Sequence, residues 1–345
     1  MWQVLRSSKN KLFSNNSINI DFIFRMIDYA KKLCIHDIMS FRFYHEHILL
    51  NRAPHFRKDK MWLTSNLKNT NTRVIPVWQN KNLFQENNKK TPSPIILSGT
   101  AALNVCNEAR EIVFLGLLDN KIYFAADITN YEDPFSMDLP ERSVFADLRS
   151  LATSINYMEA GYLAYARAIV YWNQNNQFCG QCGSKTKSIN GGHERKCISE
   201  TCSKSIFPRT DPAVIMLVTH PTDDKCLLGH NKKFQGLRFS TIAGFVEPGE
   251  MLEQAVAREV FEETNIKVRN IKYQASQPWP FPASIMLGFT AQATSTAIIC
   301  HDGELEEARW FSRQEIIEMS NSDDMLPPPK LSISRWLIDT WLKKL

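Results

Sequence analysis

The residues best equipped for chemistry lie in one short segment, Glu250 to Glu263. If that segment is helical, with about 3.6 residues per turn, Glu259, Glu262 and Glu263 fall within an arc of roughly 100°. Three carboxylates so close repel one another unless a cation lies between them, and hard oxygen ligands select Mg²⁺ or Mn²⁺. Such ions stabilise the charge that develops on a cleaving pyrophosphate and activate a water molecule. The plainer alternative is a solvated acidic helix face with no ligand. Pro248 and Gly249 supply a turn before the helix, and Glu250 in its first turn suits the macrodipole. Leu252, Val256 and Val260 make an apolar stripe that packs inward.

A second group is the set Cys179-x2-Cys182-x14-Cys197-x4-Cys202. Two short pairs on separate turns can offer four thiolates to a tetrahedral Zn²⁺, leaving no open position, so the ion would be structural. Gly180 and Gly183 fit the tight turns of the first pair. The other cysteines, Cys34, Cys106, Cys226 and Cys300, are scattered. That usage points to metal binding in a reducing compartment and against a disulfide-stapled secreted protein.

The spacing Gly244-x5-Glu250-x7-Arg258-Glu259-Val260-x-Glu262-Glu263-x-Asn265-Ile266 resembles the Nudix box at every fixed position but one. Asn265 stands where that motif has its last glycine, a place after a helix that favours left-handed backbone, and Asn is the next-best occupant. A further stretch, Ser276-Gln277-Pro278-Trp279-Pro280-Phe281-Pro282-Ala283-Ser284, resembles a signature of the NADH pyrophosphatase family, the zinc-ribbon Nudix hydrolases. Three prolines hold its backbone extended and fix the angles of Trp279 and Phe281. Rigid aromatics can stack on a base, worth roughly 1–3 kcal/mol each. Gln277 and Ser284 offer hydrogen bonds. The segment Phe207-Pro208-Arg209-Thr210-Asp211-Pro212 is similar to the family's Y-P-R-x-D-P, with Phe207 in place of Tyr, so stacking survives there without the hydroxyl.

The resemblance covers about residues 55–340. It implies an α+β protein: a Nudix α/β/α sandwich with a mixed sheet, preceded by a zinc ribbon and a β-rich N-terminal domain. It implies metal-dependent hydrolysis of the pyrophosphate of NADH, and of related dinucleotides, to AMP and reduced nicotinamide mononucleotide. Glu259, Glu262 and Glu263 become Mg²⁺ or Mn²⁺ ligands, with Glu263 also the candidate to position or deprotonate water. Ala243 would offer its backbone carbonyl to the metal, and Glu304 a further carboxylate. Arg258 would orient Glu250 rather than touch substrate. Phe207, the Gln277–Ser284 stretch and Ser334 would contact substrate, Ser334 in place of an Ala. The family forms homodimers, and the likeness is to its eukaryotic peroxisomal branch, without that branch's ankyrin repeats.

Several elements must position these residues. Strands are expected at Arg73–Trp78, Glu111–Gly116 and Ile122–Ala126, with turn chemistry at Asp119-Asn120 and a loop over Gln79–Pro94. No chemistry is visible in that region. A helix is expected over Leu148–Tyr171, then the cysteine module at 174–207. Ala213–Thr219 reads as a buried strand paired with Lys225–Gly229 through a turn at Asp223-Asp224. Further strands are expected at Ile271–Ala275, Ile285–Ala291 and Ala308–Phe311. Helices are expected at Met251–Thr264 and at Leu331–Leu342, the latter with Ile333, Trp336, Leu337 and Trp341 on one side. The resulting domains are an extension at 1–50, an N-terminal domain at 51–165, the ribbon at 174–207 and the hydrolase domain at 208–345. No internal repeat is evident.

The chain of 345 residues has 43% hydrophobic and 22% charged residues and a net charge of +5, a globular composition without a membrane span. The basic, Ser- and Asn-containing segment up to about Lys32 loosely resembles a mitochondrial transit peptide. Lys343-Lys344-Leu345 faintly resembles a peroxisomal signal. Peroxisome, mitochondrion and cytosol therefore stay open, with the family likeness leaning to the first. Two rival functions share the same residues: removal of NAD caps from RNA 5′ ends, which a basic track from the site would favour, and a non-catalytic nucleotide sensor, which has no need of the glutamates.

Overall fold

The computed structural model describes residues 50–86, 92–233, 236–301, 303–320 and 325–343. The transit-peptide-like segment and the final Lys344-Leu345 pair lie outside the described residues. Three sheets organise the rest.

The first sheet is built from β1 (Thr72–Trp78), β2 (Lys81–Gln85), β3 (Ser93–Pro94), β4 (Glu111–Leu118), β5 (Lys121–Asp127) and β6 (Ser143–Ala146). Its order is β3-β2-β1-β5-β4, with β6 on β2, and β1 runs parallel to β5. The expected loop over Gln79–Pro94 is thus corrected, since two strands lie inside it. Gln79 and Asn80 both take positive φ, 47° and 61°, the hairpin geometry that matches strand twist. The Asn-rich composition hid β2, whose Asn82, Leu83 and Phe84 are all buried. Two helices absent from the sequence reading, α1 (Lys60–Leu67) and α2 (Gly99–Glu108), lie toward one face with Ala102, Val105 and Cys106 in its core.

The expected helix over Leu148–Tyr171 is two helices, α3 (Leu148–Leu151) and α4 (Tyr157–Asn175). Asn156 caps α4, its Oδ1 accepting from the Met158 N–H at 2.9 Å, so the chain restarts a helix there. Ala160, Leu163, Ala164 and Val170 of α4 pack with Ile75, Val77, Val113 and Ala125 on the other face of the sheet. The helix runs past residue 165 to the edge of the cysteine module.

That module is a small sheet, β7 (Thr186–Ile189), β8 (Glu194–Cys197) and β9 (Ser205–Ile206), in the order β7-β8-β9. It is seated on the first half. Gly192, at φ 88°, lies against Val113 so closely that a Cβ would overlap the valine side chain. Arg195, 3% exposed, ion-pairs with Glu111 at 3.1 Å and donates to Asn173 of α4, also at 3.1 Å.

The second half holds β10 (Asp211–Thr219), β11 (Lys225–Asn231), β12 (Leu237–Ser240), β13 (Ile242–Phe245), β14 (Val268–Trp279), β15 (Ser284–Ala293), β16 (Leu305–Ser312) and β17 (Met325–Leu326). The expected β10–β11 hairpin is present, with Val218 opposite Leu227. Helix α5 (Leu252–Thr264) covers one face through Ala255, Val256 and Val260, and α6 (Arg313–Met319) follows β16. Full burial of each valine contributes on the order of 1.5–3 kcal/mol. Helix α7 (Ile333–Lys343) takes the other face, where a Cβ on Gly288 would strike Ile333. Its buried face is Ile333, Ser334, Leu337, Ile338 and Trp341, while Trp336 is only half-buried.

The two halves share one pairing plan, a structural repeat that is not evident in the sequence. β1 lies parallel to β5 as β10 does to β15. β4 lies antiparallel to β5 as β14 does to β15. β6 closes on β2 as β16 closes on β11. α2 occupies the place of α5 but carries Gly-Thr-Ala-Ala-Leu-Asn-Val-Cys-Asn-Glu, without the glutamate cluster. The duplication is topological, and the sequences keep only the burial that the plan requires.

Candidate active site

Helix α5 ends where Asn265 adopts φ 59° and ψ 13°, the left-handed cap expected of it. The box therefore tolerates Asn in place of Gly. Arg258, on the same helix, is the hub of the carboxylates. Its Nε and Nη2 grip Glu250 at 2.8 and 2.9 Å. Nη1 donates to Glu259 at 2.8 Å and to Glu262 at 2.9 Å, and Nη2 also donates to the Phe245 carbonyl at 2.9 Å. With its donors so engaged, Arg258 orients acids and has little left for a substrate. The hydrogen bond from Arg258 holds the Glu250 carboxyl below the usual range, and Glu250 in turn accepts from the Glu247 N–H. Glu259 moves upward, chiefly through burial, with Glu262 and Glu304 adding to it against the pull of Arg258.

The four acids line two clefts. Glu259 and Glu262 line a surface cleft of about 660 Å³ with His301, Asn265 and Glu304. Glu263, 4% exposed, lines a larger cavity of about 880 Å³ together with Glu304, Ala243, Trp279, Gln277 and Ser334. Glu304 belongs to both. Among the described residues these carboxylates do not converge as tightly as the cysteines do. Yet the donor set suits a hard cation: carboxylates on one helix, one more on the facing loop, and a backbone carbonyl at Ala243. Gly244 shows how closely they sit, because a Cβ there would fall inside the Glu259 carboxylate. Only glycine lets β13 and α5 approach that far.

The large cavity also reaches the first half. Asp147, Arg149, Ser150 and Thr153, around α3, contribute to its wall. The guanidinium of Arg149 stands 5.7 Å from the Trp279 ring. Lys233 and Arg238, which the sequence reading missed, line it as well. Neither falls within a motif; Arg238 lies on β12 and Lys233 just past the end of β11.

The substrate-contact residues implied by the resemblance divide. Trp279, Gln277 and Ser334 line the cavity; Phe207, Pro278, Pro280, Phe281, Pro282, Ala283 and Ser284 are outside its wall. Gln277 is fully buried and joins two backbones, donating to the Leu331 carbonyl and accepting from the Ile333 N–H, at 2.9 and 2.8 Å. Its role here is to pin α7 to β14. Ser334 Oγ accepts from the Thr241 N–H at 3.1 Å and bonds the Ser240 and Thr241 hydroxyls. Phe281 packs edge-on to Trp279, with the Arg167 guanidinium 4.7 Å from its ring and donating to the Pro280 carbonyl. Phe207 is 63% exposed.

The cysteines Cys179, Cys182, Cys197 and Cys202 present sulfurs that all lie within 4.8 Å of one another. The Cys182–Cys197 and Cys179–Cys202 separations are 3.4 and 3.8 Å. Tetrahedral thiolates at about 2.3 Å from zinc would stand about 3.8 Å apart, so the quartet fits that ion.

Comparison with known proteins agrees with this architecture. Residues 209–337 match the NUDIX domain model, residues 71–172 the NADH pyrophosphatase-like rudimentary NUDIX domain, and residues 174–207 the NADH pyrophosphatase zinc ribbon domain. The chain is 42% identical over 194 residues to the NAD-capped RNA hydrolase NUDT12 of Homo sapiens, covering 54% of this chain and 42% of that one. It is 41% identical over 219 residues to the chloroplastic Nudix hydrolase 19 of Arabidopsis thaliana, covering 59% and 50%. It is 40% identical over 202 residues to the NAD-capped RNA hydrolase NudC of Pseudomonas aeruginosa (strain LESB58), covering 58% and 68%. The chain thus spans half or less of the length of the human and plant relatives. With its rudimentary domain, ribbon and glutamate helix in this order, the chain belongs to the NudC-like NADH pyrophosphatase family of zinc-ribbon Nudix hydrolases.

Proposed function

We propose that the chain hydrolyses the diphosphate bond of NADH and related dinucleotides, yielding AMP and reduced nicotinamide mononucleotide. The observation that carries this reading is the placement of buried Glu263 beside Glu304, Ala243 and Trp279 in one cavity of about 880 Å³, a size suited to a dinucleotide. Glu259, Glu262, Glu263, Glu304 and the Ala243 carbonyl would hold Mg²⁺ or Mn²⁺. When bound, such ions neutralise the diphosphate oxygens and make water a better nucleophile. Glu263 receives the proton of the attacking water on a carboxylate oxygen. Arg258 holds Glu250, Glu259 and Glu262 in place. Trp279 offers a flat apolar wall to a base. A homodimer, implied by the family likeness, is part of the same reading; light scattering of the wild type tests it, and the mass of a single chain would remove it.

The test is chromatography of products from NADH with Mg²⁺ or Mn²⁺, for wild type and Glu263→Gln. General-base assistance is typically worth about 10²–10⁴-fold. A loss of that size in kcat is expected, with AMP and reduced nicotinamide mononucleotide as the wild-type products. Unimpaired turnover by the variant would remove Glu263 as the base. The names of the human and bacterial relatives favour a second substrate for the same bond, the NAD cap of RNA. Release of 5′-monophosphate RNA from a capped oligonucleotide would establish it.

A further inference from the structure

Trp279, an aromatic wall of the large cavity, ends β14 where a short loop returns the chain to β15, with Trp279 opposite Ser284. A ring at the root of a loop is held only as firmly as the packing around that loop. Here the packing comes from the first half. Phe281 stands edge-on to Trp279, with ring centroids 5.2 Å apart, and both rings lie against the core that α4 forms with the first sheet. Arg167 of α4, only 8% exposed, places its guanidinium 4.7 Å from the centre of the Phe281 ring. Its Nη1 donates to the carbonyl of buried Pro280, and its Nε donates to the Asn80 carbonyl of the β1–β2 turn at 2.7 Å. A buried cation is costly unless its donors are met, and a planar fork meets several acceptors only in a fixed orientation. Arg167 thus ties the loop beside Trp279 to a helix and a hairpin of the other half.

We infer that Arg167 is a positioning residue for substrate binding: through Pro280 and Phe281 it sets the angle at which Trp279 meets a base. The inference rests on the proposed dinucleotide reading and deepens it, giving the rudimentary domain a part in substrate affinity. The glutamates stand on the other half of the chain, so the effect of Arg167 belongs in KM rather than in kcat.

The test combines steady-state kinetics on NADH with calorimetric titration of inorganic diphosphate, both with Mg²⁺ and the full chain. Arg167→Met keeps the length of the side chain and removes the fork. It should raise KM for NADH about tenfold, within what a lost base stack allows, with kcat changed less than about threefold. Diphosphate has no base, so its affinity should stay within about twofold of wild type. Arg167→Lys keeps the charge and donors and should recover part of the loss. In a Trp279→Ala background, Arg167→Met should add less than about twofold, because the ring through which it acts is gone. An unchanged KM in Arg167→Met would overturn the inference. So would a loss of diphosphate affinity as large as the rise in KM, or a full effect of Arg167→Met in the Trp279→Ala background. Thermal unfolding verifies the fold of each variant. If Arg167→Met does not fold, Phe281→Leu carries the same expectations, since it removes only the ring beside the guanidinium. A wild type without NADH turnover removes the dinucleotide reading itself, whereas turnover with an unchanged KM in the variants removes the role of Arg167 alone.

Discussion

At the scale of single residues, the site depends on contacts so short that one atom decides them. Gly244 faces the Glu259 carboxylate at a distance no Cβ could occupy. Gly244→Ala should therefore displace that carboxylate and lower kcat about 10²-fold, the usual consequence of a misplacement near 1 Å. Steady-state kinetics with NADH, beside an unchanged far-ultraviolet circular dichroism spectrum, checks this. A variant with wild-type kcat would show that Glu259 need not stand where it does. Asn265 poses the complementary case. At φ 59°, Asn265→Gly should be near neutral, whereas Asn265→Val should destabilise by about 1–2 kcal/mol, read from urea midpoints. The spacing of the box made both positions legible, since a helix period and a post-helical turn follow from sequence. The Arg258–Glu250 grip was legible only through family likeness. Arg238 was not legible at all, because its place in the cavity wall exists only once β12 is folded into the sheet.

At the scale of elements, apolar content and turn chemistry located most strands, and they failed where polarity and burial part company. β2 reads as a loop because the stretch that holds it, Gln79–Lys90, is rich in Asn and Lys, yet Asn82 is buried within hydrogen-bond reach of the Leu163 carbonyl, at 3.4 Å. The break between α3 and α4 was hidden because apolar periodicity continues across it, while the cap at Asn156 restarts the helix. The ribbon was legible from cysteine spacing alone, but not its seat. Arg195 ties β8 to Glu111 on β4 and to Asn173 on α4, so the ribbon serves as a strut between strand and helix. Cys197→Ser should then cost far more in thermal stability than in catalysis. The expected result is a lower Tm and loss of bound zinc by atomic absorption, with kcat on NADH well below the melting range changed much less. A kcat that fell in proportion to zinc would make the ribbon part of the chemistry.

For the whole molecule, the ribbon's docking onto the first half should make stability depend on pH through His193. Its Nε2 lies 2.7 Å from the Phe114 carbonyl on β4. A carbonyl only accepts, so Nε2 carries the hydrogen and the neutral ring satisfies the contact. Burial, the largest cause, pushes the pKa down to about 4, and the nearby Arg57 and Arg52 add to this against the Phe114 bond. In the unfolded chain the ring titrates near its ordinary value of about 6.5. Between those values the unfolded state binds the extra proton, so stability contributed by His193 is complete above about pH 6.5 and declines as pH falls toward 4. From pH 7 to pH 5 the loss should be about 2 kcal/mol. Cysteine protonation and zinc release act in the same direction, so wild type must be compared with His193→Gln under saturating zinc. Gln can donate to the same carbonyl but does not titrate, and its urea midpoint should fall less over that interval. Parallel pH profiles for the two proteins would mean that the ring is protonated at the interface or that the ribbon detaches before global unfolding. Either result would deny the contact between ribbon and first sheet its part in holding the three modules together.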